Sequence, residues 1–227
     1  MGLGNNTTAT YVDMRNGKIY RYSKTNEMGT TPIQNKNGDI KYYFIYDFIE
    51  GTVTNFSTRE EEVVGKTKLI LQIHLVDQGE NYVLKIDTNS SYFRMFCSVL
   101  PNIDFNYPVR FIPRIKEENG VKKSSLIVVN NNTPCKFFFT KDNPNGKPDI
   151  IISKNKKGDI VDIDRDEELE FFMNLLTQTK KRLPHPAMAQ DSKQDVKPDA
   201  FNMTAGAAIA SISTDVVTEE EDNDLPW

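Results

Sequence analysis

From Lys66 to Val76 the side chains alternate, with Leu69, Leu71, Ile73 and Leu75 on one side and Lys68, Ile70, Gln72 and His74 on the other. A period of two belongs to a strand with one buried face and excludes a helix over the same span. After a turn at Asp77–Glu80 the pattern recurs in Asn81–Asp87, where Tyr82, Leu84 and Ile86 oppose Val83 and Lys85. Upstream, Tyr42–Thr54 is too aromatic and β-branched for a helix, and Gly51 within it marks a bulge or sharp bend. There Tyr42, Phe44, Tyr46 and Phe48 share one face and Tyr43, Ile45, Asp47 and Ile49 the other. Ile49 and Val53 have the character of core residues, so the phase must change, and a bulge near Asp47 would change it. A polar loop at 57–65 is expected to join this strand to the next.

Ser90 is a good N-cap for a helix at Ser91–Leu100, with Phe93, Phe96, Cys97 and Leu100 in one apolar stripe and Pro101 as its stop. Two strands follow. Pro108–Lys116 points Val109, Phe111 and Ile115 inward and Arg110, Ile112, Arg114 and Lys116 outward, and a loop at Glu117–Lys123 leads to Ser124–Asn130. The order β-β-β-α-β-β over residues 40–131 resembles the OB-fold, a five-stranded Greek-key barrel whose helix plugs one end. The fold class expected is thus mainly β: this barrel with extra hairpins, a C-terminal helix and a disordered acidic tail.

Residues 1–39 read as an N-terminal hairpin and arm. The hairpin joins Thr10–Met14 to Lys18–Ser23 through Arg15-Asn16-Gly17, and 24–39 is expected to be loop. Residues 132–182 read as a β-hairpin plus helix. Lys136–Thr140 is a β run, Phe137-Phe138-Phe139 is expected to pack the extra hairpin onto the barrel, and Ile150–Lys154 pairs with Ile160–Ile163. The helix spans Asp164–Arg182, with Asp164 and Glu167 as a capping box and Leu169, Phe172, Met173 and Leu176 as its buried stripe. A Pro/Ala/Ser/Asp-rich linker occupies 183–218.

The chain then ends in Glu219-Glu220-Glu221-Asp222-Asn223-Asp224-Leu225-Pro226-Trp227. Five carboxylates without a Lys or Arg stay solvated and extended. An aromatic beside the terminal carboxylate has the shape of a ligand, with a ring for an apolar pocket and charges for Lys or Arg. Charge is divided accordingly: residues 1–182 hold 26 basic against 23 acidic side chains, and 183–227 hold 2 against 9.

Enzyme signatures are not met. Gly2-Leu3-Gly4 lacks a third glycine and a preceding strand, and no phosphate-binding Gly-Lys-Ser/Thr loop occurs. The two histidines, His74 and His185, have no Cys or carboxylate at ligand spacing. Asp162-Ile163-Asp164-Arg165-Asp166 begins like a calcium loop, but Glu167 stands at its glycine position and Met173 at its bidentate glutamate position. No enzyme, metal or cofactor is expected. Cys97 and Cys135 read as free thiols of a reducing compartment, and Met1–Asn6 lacks a basic and an apolar region, so export is not expected. The apolar run Ala205–Ile212 is too short to span a bilayer. The expectation is a soluble cytoplasmic protein, in the host cytoplasm if viral, with no membrane partner.

The acidic tip with its apolar residue, proline and terminal aromatic resembles that of single-stranded-DNA-binding proteins of bacteria and bacteriophages, although their last residue is Phe where this chain has Trp227. The resemblance implies an OB-fold that coats single-stranded DNA without strong sequence preference during replication, recombination and repair. Its tip, Glu219–Asp224 with Leu225, Pro226 and Trp227, would recruit replication proteins, and those carboxylates would compete with DNA for the basic face.

Single strands are held by aromatic platforms under bases and cations along phosphates. Tyr43, Tyr46 and Phe56 are the stacking residues expected. Lys68, Gln72, His74, Lys85, Arg110, Arg114 and Lys116 would line the outward face, and Lys122 and Lys123 the loop between the last two strands. Two other readings remain open: a phage structural or interaction module with an OB-like barrel, and an RNA-binding OB protein. A homo-oligomer is compatible with each.

Overall fold

The computed structural model describes residues 9–35, 38–63, 65–118 and 121–183. These belong to the first of two compact units, Met1–Ala189; the second, Gln190–Trp227, lies outside the described residues, and with it the expected acidic tip and most of the linker.

Strands β1 (Thr10–Arg15) and β2 (Lys18–Ser23) form the expected hairpin, with Asn16 and Gly17 at φ 48° and 71°. Successive positive φ angles belong to the two-residue turn whose twist matches that of the strands. The expected loop at 24–39 contains a further strand, β3 (Thr31–Gln34), paired with β4 (Ile40–Tyr46). The aromatic stretch is two strands: β4 ends at Tyr46, Asp47 and Phe48 intervene, and β5 runs from Ile49 to Val63. The change of phase that the residue pattern demanded near Asp47 is therefore a break between strands. The loop expected at 57–65 is instead the second half of β5, paired with β6 (Lys66–Asp77) as far as Val63↔Lys66.

After β7 (Glu80–Asp87) comes helix α1 (Ser91–Val99), capped by the Ser90 hydroxyl, which accepts from the Phe93 amide at 3.3 Å. Strands β8 (Val109–Glu118) and β9 (Val121–Asn130) form a hairpin, and the two-residue β10 (Thr133–Pro134) flanks β9. Lys136–Thr140 is not a strand. Strands β11 (Ile151–Lys154) and β12 (Ile160–Asp164) make a separate two-stranded sheet that leads into helix α2 (Asp166–Lys180). Arg165 rather than Asp164 is the N-cap of α2, without a side-chain capping bond. The Asp164 carboxylate instead accepts from the Asp166 amide, so the capping box is absent.

The ten strands of the main sheet lie in the order β10-β9-β8-β5-β6-β7-β1-β2-β4-β3. The β-β-β-α-β-β order over 40–131 is present as β5-β6-β7-α1-β8-β9, with β5 paired to both β6 and β8. Closing these five strands would require β7 to pair with β9. The outer edge of β7 is occupied instead by β1, in parallel, from Thr10↔Tyr82 to Asp13↔Lys85. A mainly β body with a large mixed sheet is the result, without closure of the five strands on one another.

The N-terminal hairpin also reaches β8. The Gly17 amide donates to the Tyr92 hydroxyl of α1 at 2.7 Å, and that hydroxyl faces the Arg114 carbonyl at 3.4 Å. A Cβ at Gly17 would stand 2.9 Å from the Ile115 amide nitrogen, so close approach as well as positive φ requires glycine there.

The core fills the space between the sheet and the helices. Leu71, Ile73 and Leu75 of β6, Leu84 and Ile86 of β7, and Val109 and Phe111 of β8 meet the α1 stripe of Phe93, Phe96 and Cys97, with Leu100 just beyond it. Each such side chain contributes about 1.5–3 kcal/mol by leaving water. Ile115, expected inward, is 37% exposed at the turn end of β8. On α2, Phe172 and Leu176 are buried and Leu169 and Met173 only partly so, while Glu168 is unexpectedly buried against Lys147 at 3.1 Å. Phe139 packs on Phe171 and Phe172 of α2 rather than on the small hairpin, leaving Phe137 and Phe138 exposed.

Candidate nucleic-acid interface

Residues directly opposite each other in a ladder share a sheet face. From this register, one face of the main sheet is the core and the other collects most of the polar residues singled out above. Lys68, Gln72 and His74 of β6 and Lys85 of β7 lie together on the noncore face, with Gln72 opposite both Lys85 and Ser57 of β5. The Ser57 hydroxyl is 2.8 Å from His74 Nε2 and 3.2 Å from Gln72 Oε1. Burial, then the nearby Lys180 charge, holds the His74 pKa below its ordinary value, so the imidazole is neutral at pH 7.

The cations of this face are engaged. Lys85 contacts Asp13 at 3.1 Å and Glu61 at 3.2 Å, Lys68 contacts Asp87 at 2.6 Å, and Arg110 forks onto one Glu50 oxygen. Burial works to lower the Lys85 pKa, but Asp13 and Glu61 outweigh it and the net direction is upward. All these pairs are partly exposed, so an incoming phosphate competes with carboxylates already in water.

Arg110, Arg114 and Lys116 share the noncore face of β8, with Lys123 directly opposite Lys116. Lys122 pairs with Glu117 and so points the other way. Lys122 and Lys123 belong to a strand, since the hairpin extends past the expected loop. Arg114 and Lys116 lie beyond the first residue of β5, where β8 meets the β1–β2 turn. They are separated along the strand from the Lys68–Lys85 group.

The aromatic expectations need correction. Phe56 is 5% exposed and packs edge-on to Phe105 and against Phe96 in the core. A bulge between Val53 and Asn55 puts both Val53 and Phe56 inside, although they are an odd three positions apart. The bulge thus lies beyond Gly51, whose missing Cβ serves close packing against Val76 O at 3.0 Å. Tyr46 sits opposite Ile19 on the core side, lining a cavity of about 270 Å³ with Val12, Phe48 and Tyr82. Tyr43 does lie on the noncore face, but only 9% exposed.

What covers Tyr43 was missed in the residue pattern. The Arg15 guanidinium lies 4.5 Å from the Tyr20 ring centre and 4.8 Å from that of Tyr43, and Tyr22 meets Tyr43 edge-on at 5.8 Å. Tyr11 and Tyr22 are 53% and 54% exposed. The pattern of Thr10–Ser23 reads as a hairpin alone, with no face assigned to Tyr11 or Tyr22. What it lacked was the knowledge that this hairpin continues the sheet beside β7.

No family model, curated protein or solved structure matches the chain. Function must therefore be argued from the face itself. Among the described residues no three His, Cys, Asp or Glu side chains gather as a metal would need, and no helix is long and apolar enough to cross a membrane.

Proposed function

We propose that this protein binds single-stranded DNA without strong sequence preference, through the noncore face of β6 and β7, and that it acts by coating DNA rather than by catalysis. The observation that carries the reading is the grouping of Lys68, Gln72, His74 and Lys85 on one face of two paired strands, with a solid apolar core behind them. The element order of the OB-fold supports it, because that architecture uses the equivalent strands for oligonucleotides. The acidic, tryptophan-ended terminus supports the association with replication and recombination proteins that the resemblance implies. Protection of exposed strands and recruitment through residues 219–227 complete the proposed role.

The test is fluorescence-anisotropy titration with labelled dT20, duplex DNA and a U20 RNA, each at 50 and 200 mM salt. The reading requires preference for dT20 and weakening with salt, since each phosphate neutralised releases counterions. Preference for RNA would replace it with an RNA-binding role, and absence of binding to all three would replace it with a structural or interaction module.

A further inference from the structure

The ladders align one row of side chains across the sheet. Asn55 of β5 is opposite His74 of β6, His74 is opposite Val83 of β7, and Val83 is opposite Tyr11 of β1. The antiparallel β1–β2 register, with Asp13 opposite Tyr20, carries Tyr11 to a place beside Tyr22, and Tyr22 is opposite Tyr43 of β4. From His74 to Tyr43 the row crosses five strands, or about 19 Å at the usual strand spacing.

Resting on the single-strand-binding reading above, we infer that the nucleic acid crosses the strands along this row and stacks bases on Tyr11 and Tyr22, outside the five OB-ordered strands. Both rings are more than half exposed, whereas Tyr20 and Tyr43 on the same face are buried. Tyr22 is braced from below by Tyr43, and Arg15 is held over Tyr20 and Tyr43 by ring contacts. A guanidinium fixed by stacking keeps its N–H edge available to fork onto a phosphate, at little further entropic cost. Val83, small and buried, forms the floor between the larger His74 and Tyr11. Aromatic rings along the row with one fixed cation beside it are what an unstacked strand requires, and such a surface is indifferent to sequence because every base offers a π-face.

The experiment compares dT20 binding by the full chain and by the double variant Tyr11→Ala/Tyr22→Ala, with Tyr11→Phe/Tyr22→Phe as the conservative control. Stacking at both positions predicts a loss of at least tenfold in the alanine variant, given roughly five- to hundredfold per base. The phenylalanine variant should stay within twofold of wild type, because the ring and not the hydroxyl does the stacking. Alanine binding equal to wild type overturns the inference while leaving the function reading intact. Failure of the wild-type chain to bind dT20 overturns the function reading itself. As a check independent of any variant's folding, photocrosslinking wild type to a 20-mer of 5-iododeoxyuridine should label Tyr11 or Tyr22. Crosslinks confined to residues outside 10–23 would also overturn the inference.

Discussion

The Tyr92 hydroxyl is a junction that one atom can test. It accepts from the buried Gly17 amide at 2.7 Å and faces the Arg114 carbonyl at 3.4 Å, so α1 ties the N-terminal hairpin to β8. Tyr92→Phe keeps the ring in the core and removes only this tie. The contact at 3.4 Å is long and contributes little. The amide is different, because a buried donor left without a partner bears its full desolvation cost of about 1–3 kcal/mol. Taking about 2 kcal/mol and a urea dependence of roughly 2–3 kcal/mol per molar, the unfolding midpoint should fall by about 0.7–1 M. Tyr22→Phe, which alters an exposed hydroxyl, should move it by no more than roughly 0.2 M. Urea titrations by circular dichroism measure both, and hydrogen exchange should find the Gly17 amide deprotected only in Tyr92→Phe. A Tyr92→Phe midpoint equal to wild type, with Gly17 still protected, would refute the assigned tie.

Two further perturbations follow from the charged groups. The depressed pKa of His74 means that the unfolded chain takes up a proton before the folded one as pH falls below about 6.5. The contribution of neutral His74 is therefore complete above that pH and lost as pH falls through the folded value. Urea midpoints of wild type should decline more between pH 7.5 and 5 than those of His74→Gln; parallel declines would contradict this. Lys147→Met takes from the buried Glu168 carboxylate its 3.1 Å partner, leaving the longer 3.7 Å contact with Arg165, and should cost about 2–3 kcal/mol. Adding Glu168→Leu should recover most of that loss in the same denaturation assay.

Strand identity was legible wherever one face is buried and the ladder is regular. Lys66–Val76 and Asn81–Asp87 alternate because Leu71, Ile73, Leu84 and Ile86 face the core without interruption. Helix α1 was equally plain, since its N-cap and stripe are local. Phe56 was illegible for a definite reason: the bulge after Val53 reverses the alternation, and nothing in the residues themselves announces the reversal. The burial of Glu168 was not legible, because a carboxylate on a helix belongs in water until a distant partner, here Lys147, is folded against it. Half of the candidate face was visible, in Lys68, Gln72, His74 and Lys85. The Tyr11–Tyr22 half was not, because its position depends on a pairing between β1 and β7 that no short-range pattern encodes.

That parallel pairing also bears on how the chain reaches this state. Thr10 meets Tyr82 72 residues later, so the loop-closure entropy alone is about 4 kcal/mol before constant terms. The β1–β2 hairpin can form by itself within microseconds, but it has no edge to join until β7 has been assembled against β6. Although β1 is synthesised before β7, it is thus seated after it. Until then the Tyr11–Tyr22 surface and the β7 edge lie apart, and so long-range a contact is expected to slow folding.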